Sequence, residues 1–184
     1  MAMPVTVPRY TLEDLESFPD DGNRYELLAG VLLVTPLAEF PHQRAASRLL
    51  AELVAYLRPD RIAEVFSPGC VEREPNLHLE PDLLVVPARA TPRRTGDARW
   101  RDLQEYWLAV EVSGVESRVY DRDHKGPAYL AVGVREFWRV DLADRCLYTS
   151  RPGGPAEVAH SDRVSWLAPG RQEPLVIVVP ELFA

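Results

Sequence analysis

The sequence is poor in cysteine and contains no long apolar run. Its two cysteines, Cys70 and Cys146, cannot form a disulfide framework, and they lack a metal-ligand spacing such as CxxC. The apolar runs at 83–86 and 175–179 are far shorter than the ~20 residues that a membrane-spanning helix needs. The first ten residues also lack the basic-then-apolar layout of a signal peptide. These absences predict a soluble cytoplasmic protein that is neither secreted nor embedded in a membrane.

Positive charge is also scarce. The chain carries 28 acidic and 21 basic residues, a net charge of −7, so overall charge gives no strong non-specific affinity for nucleic acid. Lys125 is the only lysine, and every other basic residue is arginine. Lysine is a compact point charge that a planar guanidinium cannot replace in a tight site. This uniqueness gains weight only if Lys125 coincides with a site identified independently.

The composition and the order of the elements predict an α/β domain. With 46% apolar and 27% charged residues, the chain has the composition of a globular protein, and residues 1–184 are the length of a single domain. Helical spacing of apolar residues predicts one long helix over about 42–57 and a short one near 127–132. The remaining apolar segments predict a central mixed β-sheet with additional β-hairpins, completed by strands near the C-terminus.

Two acidic residues accompany the most apolar predicted strands. Asp82 stands at the start of the strand over 83–86, and Glu111 lies inside the strand over 106–113. A buried carboxylate is costly unless it is paired, protonated or bound to a metal. If these strands are neighbours, the two carboxylates converge at one edge and can hold a hard divalent cation such as Mg²⁺. Lys125 follows fourteen residues after Glu111, and its ammonium group would stabilise negative charge on a phosphate there.

Each of these residues also has an ordinary structural explanation. Asp82 follows a proline, as turn residues commonly do. Glu111 is harder to explain in this way, although a salt bridge to an arginine on a helix would satisfy it. Lys125 and Asp121 are four residues apart, so they are also compatible with a solvated pair on a helix surface. His42 at the start of the long helix is compatible with a packing role as well as with contact to a substrate or to metal-bound water.

Taken together, these residues resemble the PD-(D/E)xK nuclease superfamily and, more closely, its bacterial branch, the Uma2 family of restriction-endonuclease-like proteins. The resemblance extends from Tyr25 to about Asp141. The matching segments are Tyr25-Glu26-Leu27-Leu28-Ala29-Gly30, His42, Pro81-Asp82, Val110-Glu111-Val112, Asp121-Arg122, Lys125 with Tyr129, Gly133-Val134, and Glu136-Phe137-Trp138-Arg139-Val140-Asp141.

The resemblance implies a restriction-endonuclease-like fold and a metal-dependent endonuclease that hydrolyses phosphodiester bonds in DNA. Asp82 and Glu111 would bind Mg²⁺, with Mn²⁺ as a substitute, together with the main-chain carbonyl of Val112. Lys125 would be the active-site lysine, with Glu26 and His42 assisting. By analogy with the fold, a homodimer is expected, with a contact through Trp138 and the hairpin strands near it. Trp138, like Tyr129 and Phe137, is however better explained as a core residue.

The chain departs from the family pattern at two places. Ser113 occupies the position two residues after the glutamate, where the superfamily usually has its lysine, so Lys125 would supply the ammonium group from the following segment. Gly114-Val115 replaces the Ser-Pro that usually follows. This second departure leaves open an alternative function, a catalytically degenerate member of the fold that binds nucleic acid or a protein. Hydrolysis of another phosphate ester also stays open.

An arginine-rich loop joins the two strands that carry the acidic residues. Residues 89–101 include five arginines and one acidic residue. We predict that Arg93, Arg94 and Arg99 contact phosphates of the nucleic acid, with Trp100 stacking on a base. The alternative is a solvated loop whose tryptophan packs on the core.

Overall fold

A six-stranded mixed sheet lies at the centre of the fold. The computed structural model describes residues 8–91 and 99–184. The strands are β1 (Arg24–Leu28), β2 (Val31–Thr35), β3 (Ala63–Phe66), β4 (Val71–Arg73), β5 (Leu77–Leu79), β6 (Leu83–Pro87), β7 (Leu108–Ser113), β8 (Phe137–Asp141), β9 (Cys146–Ser150), β10 (Val158–His160), β11 (Arg163–Trp166) and β12 (Leu175–Val178). The α-helices are α1 (Leu12–Leu15), α2 (Phe40–Leu57), α3 (Arg118–Tyr120), α4 (Gly126–Ala131) and α5 (Val179–Leu182). A 3₁₀ turn covers Trp100–Asp102, and a π-helical turn, Asp121–Lys125, joins α3 to α4.

The strands form three sheets in the described residues. The central sheet has the order β10-β9-β8-β7-β6-β3, and β7 and β8 are its one parallel pair. A parallel pair requires a crossover connection, which α3, the π-helical turn and α4 provide. An antiparallel sheet of order β2-β1-β5-β4 is separate, and so is the β11-β12 pair. The α/β prediction is confirmed, but β11 and β12 do not complete the central sheet as expected.

The central sheet is apolar on both faces because each face is covered. Successive side chains of a strand point to opposite faces. Leu83 and Val85 of β6 therefore pack with α2 on one face, in a cluster that includes Leu49. Leu84 and Val86 pack on the other face with residues of β4, β5 and α4. This double coverage explains why the sequence of β6 is continuously apolar instead of alternating.

The long helix α2 begins and ends close to the positions that the periodicity predicts. Its buried residues form one stripe at helical spacing, namely Ala45, Ala46, Leu49, Leu53 and Leu57. Pro41 lies in the first turn, where its missing N–H removes no helical hydrogen bond. His42 is therefore in the first turn as well, at the end of the helix that adjoins the start of β6.

The structure decides between the two roles considered for Trp138, a core residue and a dimer contact. Its side chain is fully buried and packs edge-on against Trp166, with ring centroids 6.2 Å apart. Trp138 is therefore a core residue and offers no surface for a dimer contact. The homodimer itself stays a prediction.

None of the described helices is long and apolar enough to cross a membrane.

Gly69 allows the chain to pass against β6 immediately beside Asp82. Its N–H donates a hydrogen bond to the carbonyl of Pro81 at 3.0 Å, and a Cβ at this position would lie 2.2 Å from the Cβ of Leu84. We expect Gly69→Ala to lower the free energy of unfolding by about 1–3 kcal/mol, since the packed core must shift to admit the methyl group. Urea unfolding of both variants measures this, with Gly114→Ala as the control, because a Cβ on Gly114 meets no atom within 4 Å. Equal stability of the two variants would contradict the close approach.

Candidate active site

The pairing of β6 with β7 brings Asp82 and Glu111 together. The register pairs Leu83 with Val110, so Asp82, one residue before β6, lies opposite Glu111. Both residues are buried. The backbone N–H of Val112 donates a hydrogen bond to Asp82 Oδ2 at 2.8 Å, which fixes the carboxylate at the end of the ladder. The predicted convergence of the two acidic residues is thus present in the geometry.

Lys125 reaches the same place from the π-helical turn. Its Nζ lies 2.6 Å from Glu26 Oε2 and 3.2 Å from Glu111 Oε1. Glu26 comes from β1, whose hairpin with β2 turns at Ala29 and Gly30, both with positive φ as in a type I′ turn. Lys125 is almost fully buried, so the solvated surface pair considered from the sequence is wrong.

Asp82 is held by two basic side chains. Arg24 Nη2 lies 3.0 Å from Oδ1, and His42 Nε2 lies 3.0 Å from Oδ2. Burial raises the pKa of Asp82, but the hydrogen bond from His42 and the charges of His42 and Arg24 outweigh it, so the pKa lies below its usual value. Asp82 is therefore ionised in the folded protein and is not a simple turn residue.

Glu111 lies in the opposite electrostatic environment. Burial raises its pKa well above the usual value, and the nearby carboxylates of Asp121, Asp82 and Glu26 add to this, while Lys125 opposes it. Its oxygen Oε1 accepts hydrogen bonds from Lys125 and from the Tyr129 hydroxyl, the latter at 2.7 Å. No described residue donates a hydrogen bond to Oε2. The partners of Glu111 are thus a lysine and a tyrosine, not an arginine on a helix.

The pKa of Lys125 is raised above its usual value. Burial lowers it, but the charges of Glu111, Glu26 and Asp121 outweigh that cost. Asp121 is itself buried, and its Oδ2 accepts a hydrogen bond from the Ser113 hydroxyl at 2.7 Å. Lys125 is therefore a permanent cation within a group of carboxylates.

These side chains line one cleft of about 680 Å³ between β1, α2 and the ends of β6 and β7. Its acidic lining residues are Glu26, Glu39, Asp82, Glu111, Glu116 and Asp121, and its basic lining residues are Arg24, His42 and Lys125. Gly114 and Val115, the positions that depart from the family pattern, also line it. The cleft therefore has more carboxylates than cations and attracts positive charge, and we call it the acidic cleft.

Three residues of the site were not assigned to it from the sequence. Arg24 lies two residues before Glu26 on β1, and this spacing of two is the signal that both side chains share one face of the strand. Tyr129 is a core residue, as predicted, stacked on Phe137 with ring centroids 5.5 Å apart, yet its hydroxyl also reaches Glu111. Asp121 was matched to the family pattern and considered as a surface partner of Lys125, but it was given no role in the site.

The arginine-rich loop is only partly described. Arg93 and Arg94 lie outside the described residues, so their predicted contacts with phosphates stay predictions. Arg99 is exposed and is not among the residues that line the cleft. Trp100 packs edge-on against Phe66, with ring centroids 5.1 Å apart, which agrees with the core-packing alternative.

Two of the loop's arginines form ion pairs within the protein. Arg89 lies 2.6 Å from a carboxylate oxygen of Glu105, and Arg101 lies 2.7 Å from one of Glu74. These two charges are therefore partly neutralised.

Comparison with known proteins identifies the family of this chain. The model of the Uma2 family, described as "Putative restriction endonuclease", matches residues 12–180. The chain belongs to the Uma2 family. The resemblance inferred from the sequence is therefore confirmed, and the match includes every residue of the acidic cleft.

Solved structures show the fold of this Uma2 protein independently. A crystal structure described as "a putative nuclease belonging to DUF820" from Anabaena variabilis matches with a TM-score of 0.76 and 17% identity. The match covers 94% of this chain and 97% of that chain. No curated protein matches the chain. At this identity the structural likeness establishes the fold, and it agrees with the predicted restriction-endonuclease-like architecture.

Proposed function

We propose that this Uma2 protein is a metal-dependent endonuclease that hydrolyses phosphodiester bonds in DNA at the acidic cleft. The observation that carries the proposal is the excess of carboxylates over cations in a cleft that also holds a buried lysine. A phosphodiester anion is repelled by such a lining unless a cation enters with it. Family membership supplies the substrate class.

The donors for a divalent cation are Asp82, Glu111 and the carbonyl of Val112. Oε2 of Glu111 carries no hydrogen bond from the described residues, so it is available as a ligand. The N–H and C=O of one strand residue point to the same side, so the carbonyl of Val112 faces the side on which its N–H bonds Asp82. Three oxygen donors, completed by water and phosphate oxygens, suit Mg²⁺ or Mn²⁺. Such an ion supplies charge neutralisation and lowers the pKa of a bound water.

The protein's own residues provide the remaining chemistry. Lys125 holds a positive charge that stabilises negative charge developing on the phosphate oxygens. Glu26 positions the lysine: its Oε2 contacts Nζ, while its Oε1 accepts the Glu80 N–H at 2.7 Å. His42 and Arg24 orient Asp82 through their contacts with its two carboxylate oxygens.

Cleavage of supercoiled plasmid with Mg²⁺ or Mn²⁺ tests the proposal. The wild-type protein is expected to nick the plasmid and to lose this activity in EDTA. Asp82→Ala is expected to slow cleavage at least ~100-fold, because a ligand and the partner of Arg24 are lost together. Asp162→Ala, which removes an exposed carboxylate, is the matched control. Cleavage that survives EDTA, or that is equal in Asp82→Ala, would overturn the assignment.

A binding module without catalysis is the second candidate function. Both oxygens of Asp82 already have basic partners, and Lys125 occupies the space between Glu26 and Glu111, so the site is stable without a metal. Calorimetric titration with Mn²⁺ distinguishes the two candidates. The nuclease shows saturable binding that Asp82→Ala abolishes, whereas the binding module shows none.

A further inference from the structure

A second group of metal-ligating side chains lies outside the acidic cleft, on the β4-β5 hairpin. The register of this hairpin places Glu72 directly opposite His78. Cys70 stands immediately before β4. One ligand atom from each of these three residues lies within 4.8 Å of the other two. Antiparallel pairing thus brings a nitrogen of β5 beside an oxygen of β4 and the sulfur of the residue that precedes β4.

The distances within this group fit a tetrahedral metal ion. Cys70 Sγ lies 3.6 Å from His78 Nδ1. A zinc ion with bonds of about 2.3 Å to sulfur and 2.0–2.1 Å to nitrogen places these atoms about 3.5–3.6 Å apart at the tetrahedral angle. Glu72 Oε1 lies 2.9 Å from the same nitrogen, so a small outward shift of the carboxylate admits the ion. The group therefore needs little rearrangement to become a coordination shell.

The other ring nitrogen of His78, Nε2, contacts a carboxylate as well. Nε2 lies 3.0 Å from Glu80 Oε1. Metal-binding histidines usually donate their second N–H to a carboxylate, which fixes the tautomer and leaves the opposite nitrogen free as a ligand. Glu80 occupies the position of that carboxylate and contacts Nε2, so Nδ1 is the nitrogen available to coordinate a metal.

We propose that Cys70, Glu72 and His78 form a zinc site, with Glu80 as the outer carboxylate that orients the histidine. Cysteine and histidine favour zinc over the Mg²⁺ or Mn²⁺ that an all-oxygen site prefers. Cys70 is buried, while the side chains of His78 and Glu72 are 16% and 15% exposed, so water completes the fourth position.

The zinc site is structural and supports the neighbouring strand ends. β5 runs directly into Glu80, whose N–H bonds Glu26 of the acidic cleft. Without the metal, His78 contacts the two carboxylates, at 2.9 Å from Glu72 and 3.0 Å from Glu80. Zinc binds the deprotonated Cys70 thiolate and the neutral imidazole, so its binding releases protons.

Titration of the metal-stripped protein with Co²⁺ in place of zinc tests this proposal directly. A bound thiolate gives a near-ultraviolet charge-transfer absorption that oxygen ligands do not give. We expect this band to saturate at one equivalent, to disappear when Zn²⁺ is added, and to be absent in Cys70→Ser. Cys146→Ser is the matched control, because Cys146 is the other buried cysteine and lies outside the group. Glu80→Gln is expected to weaken binding by about 10–100-fold.

Titration of the wild-type protein tests the zinc site without any variant, so the proposal can be refuted even if a variant misfolds. Absence of a saturable band in the wild-type protein, or its persistence in Cys70→Ser, overturns the zinc site. Asp82→Ala is expected to keep the band, which separates this result from any outcome at the acidic cleft.

Discussion

Replacement of Lys125 by methionine is expected to destabilise the protein by about 3–5 kcal/mol near neutral pH. Methionine preserves much of the side-chain length but removes the charge that contacts Glu26 at 2.6 Å and Glu111 at 3.2 Å. Glu26 and Glu111 then lose the cation that contacts both of them. Urea unfolding at constant pH measures the change. If the nuclease proposal is correct, plasmid cleavage falls at least ~100-fold as well.

The loss of stability in Lys125→Met should depend on pH. The pKa of Glu111 is already raised by burial and by neighbouring carboxylates, and removal of Lys125 raises it further. A carboxyl group whose pKa is higher in the folded than in the unfolded protein binds more protons when the protein is folded. The free energy of unfolding therefore increases as the pH falls towards the pKa of that group in the unfolded protein. The gap between variant and wild type should therefore narrow from pH 8 to pH 5.

Arg122→Met is the matched control for Lys125→Met. Arg122 belongs to the same π-helical turn, but it is exposed and pairs with Asp123 on the surface. Its replacement should change stability little at any pH. A loss in Lys125→Met that is small, or equal at pH 5 and pH 8, would contradict the role of Lys125 as the cation of a buried acidic group.

The strands that carry Asp82 and Glu111 could be predicted because their signal is local. A charged residue inside an apolar run stands out, and the alternation of side chains then limits which face it occupies. The solitary lysine was assigned to the same site through the resemblance to the family, and the structure places it beside Glu111. In this part of the molecule, sequence pattern and tertiary structure agree.

Contacts that depend on the pairing of short strands could not be predicted in the same way. β5 is three residues long and has no strong strand pattern, so the hairpin that places Glu72 opposite His78 has no local signal. The sequence predicted only a short helix near 127–132, yet helical structure continues from α3 through the π-helical turn that carries Lys125 into α4. A Cβ at Gly126 would lie 2.9 Å from Phe137, which shows that the glycine permits close packing.

Neutralisation of Glu111 is expected to affect function and stability in opposite directions. Because burial raises the pKa of Glu111, its ionised form costs stability above the unfolded pKa. Glu111→Gln keeps the shape and the acceptor for Tyr129 and removes that cost, so the free energy of unfolding should rise by about 0.5–2 kcal/mol at pH 7. Plasmid cleavage should fall at least ~100-fold and Mn²⁺ binding should weaken, because a neutral amide holds a divalent cation less strongly than a carboxylate does.

Asp82→Asn is expected to change the stability in the opposite direction from Glu111→Gln. The pKa of Asp82 is lowered by His42 and Arg24, so its ionised form contributes stability above the unfolded pKa, and this contribution is lost as pH falls. Its neutralisation should therefore destabilise the protein at pH 7, while neutralisation of Glu111 stabilises it. Glu64→Gln, on the exposed face of β3, is the control without either effect. Chemical unfolding of the wild type and the three variants measures these changes in stability. If Glu111→Gln and Asp82→Asn both destabilise the protein, the ionised carboxylate of Glu111 stabilises the fold, and the prediction that it is retained at a cost in stability to bind a metal is wrong.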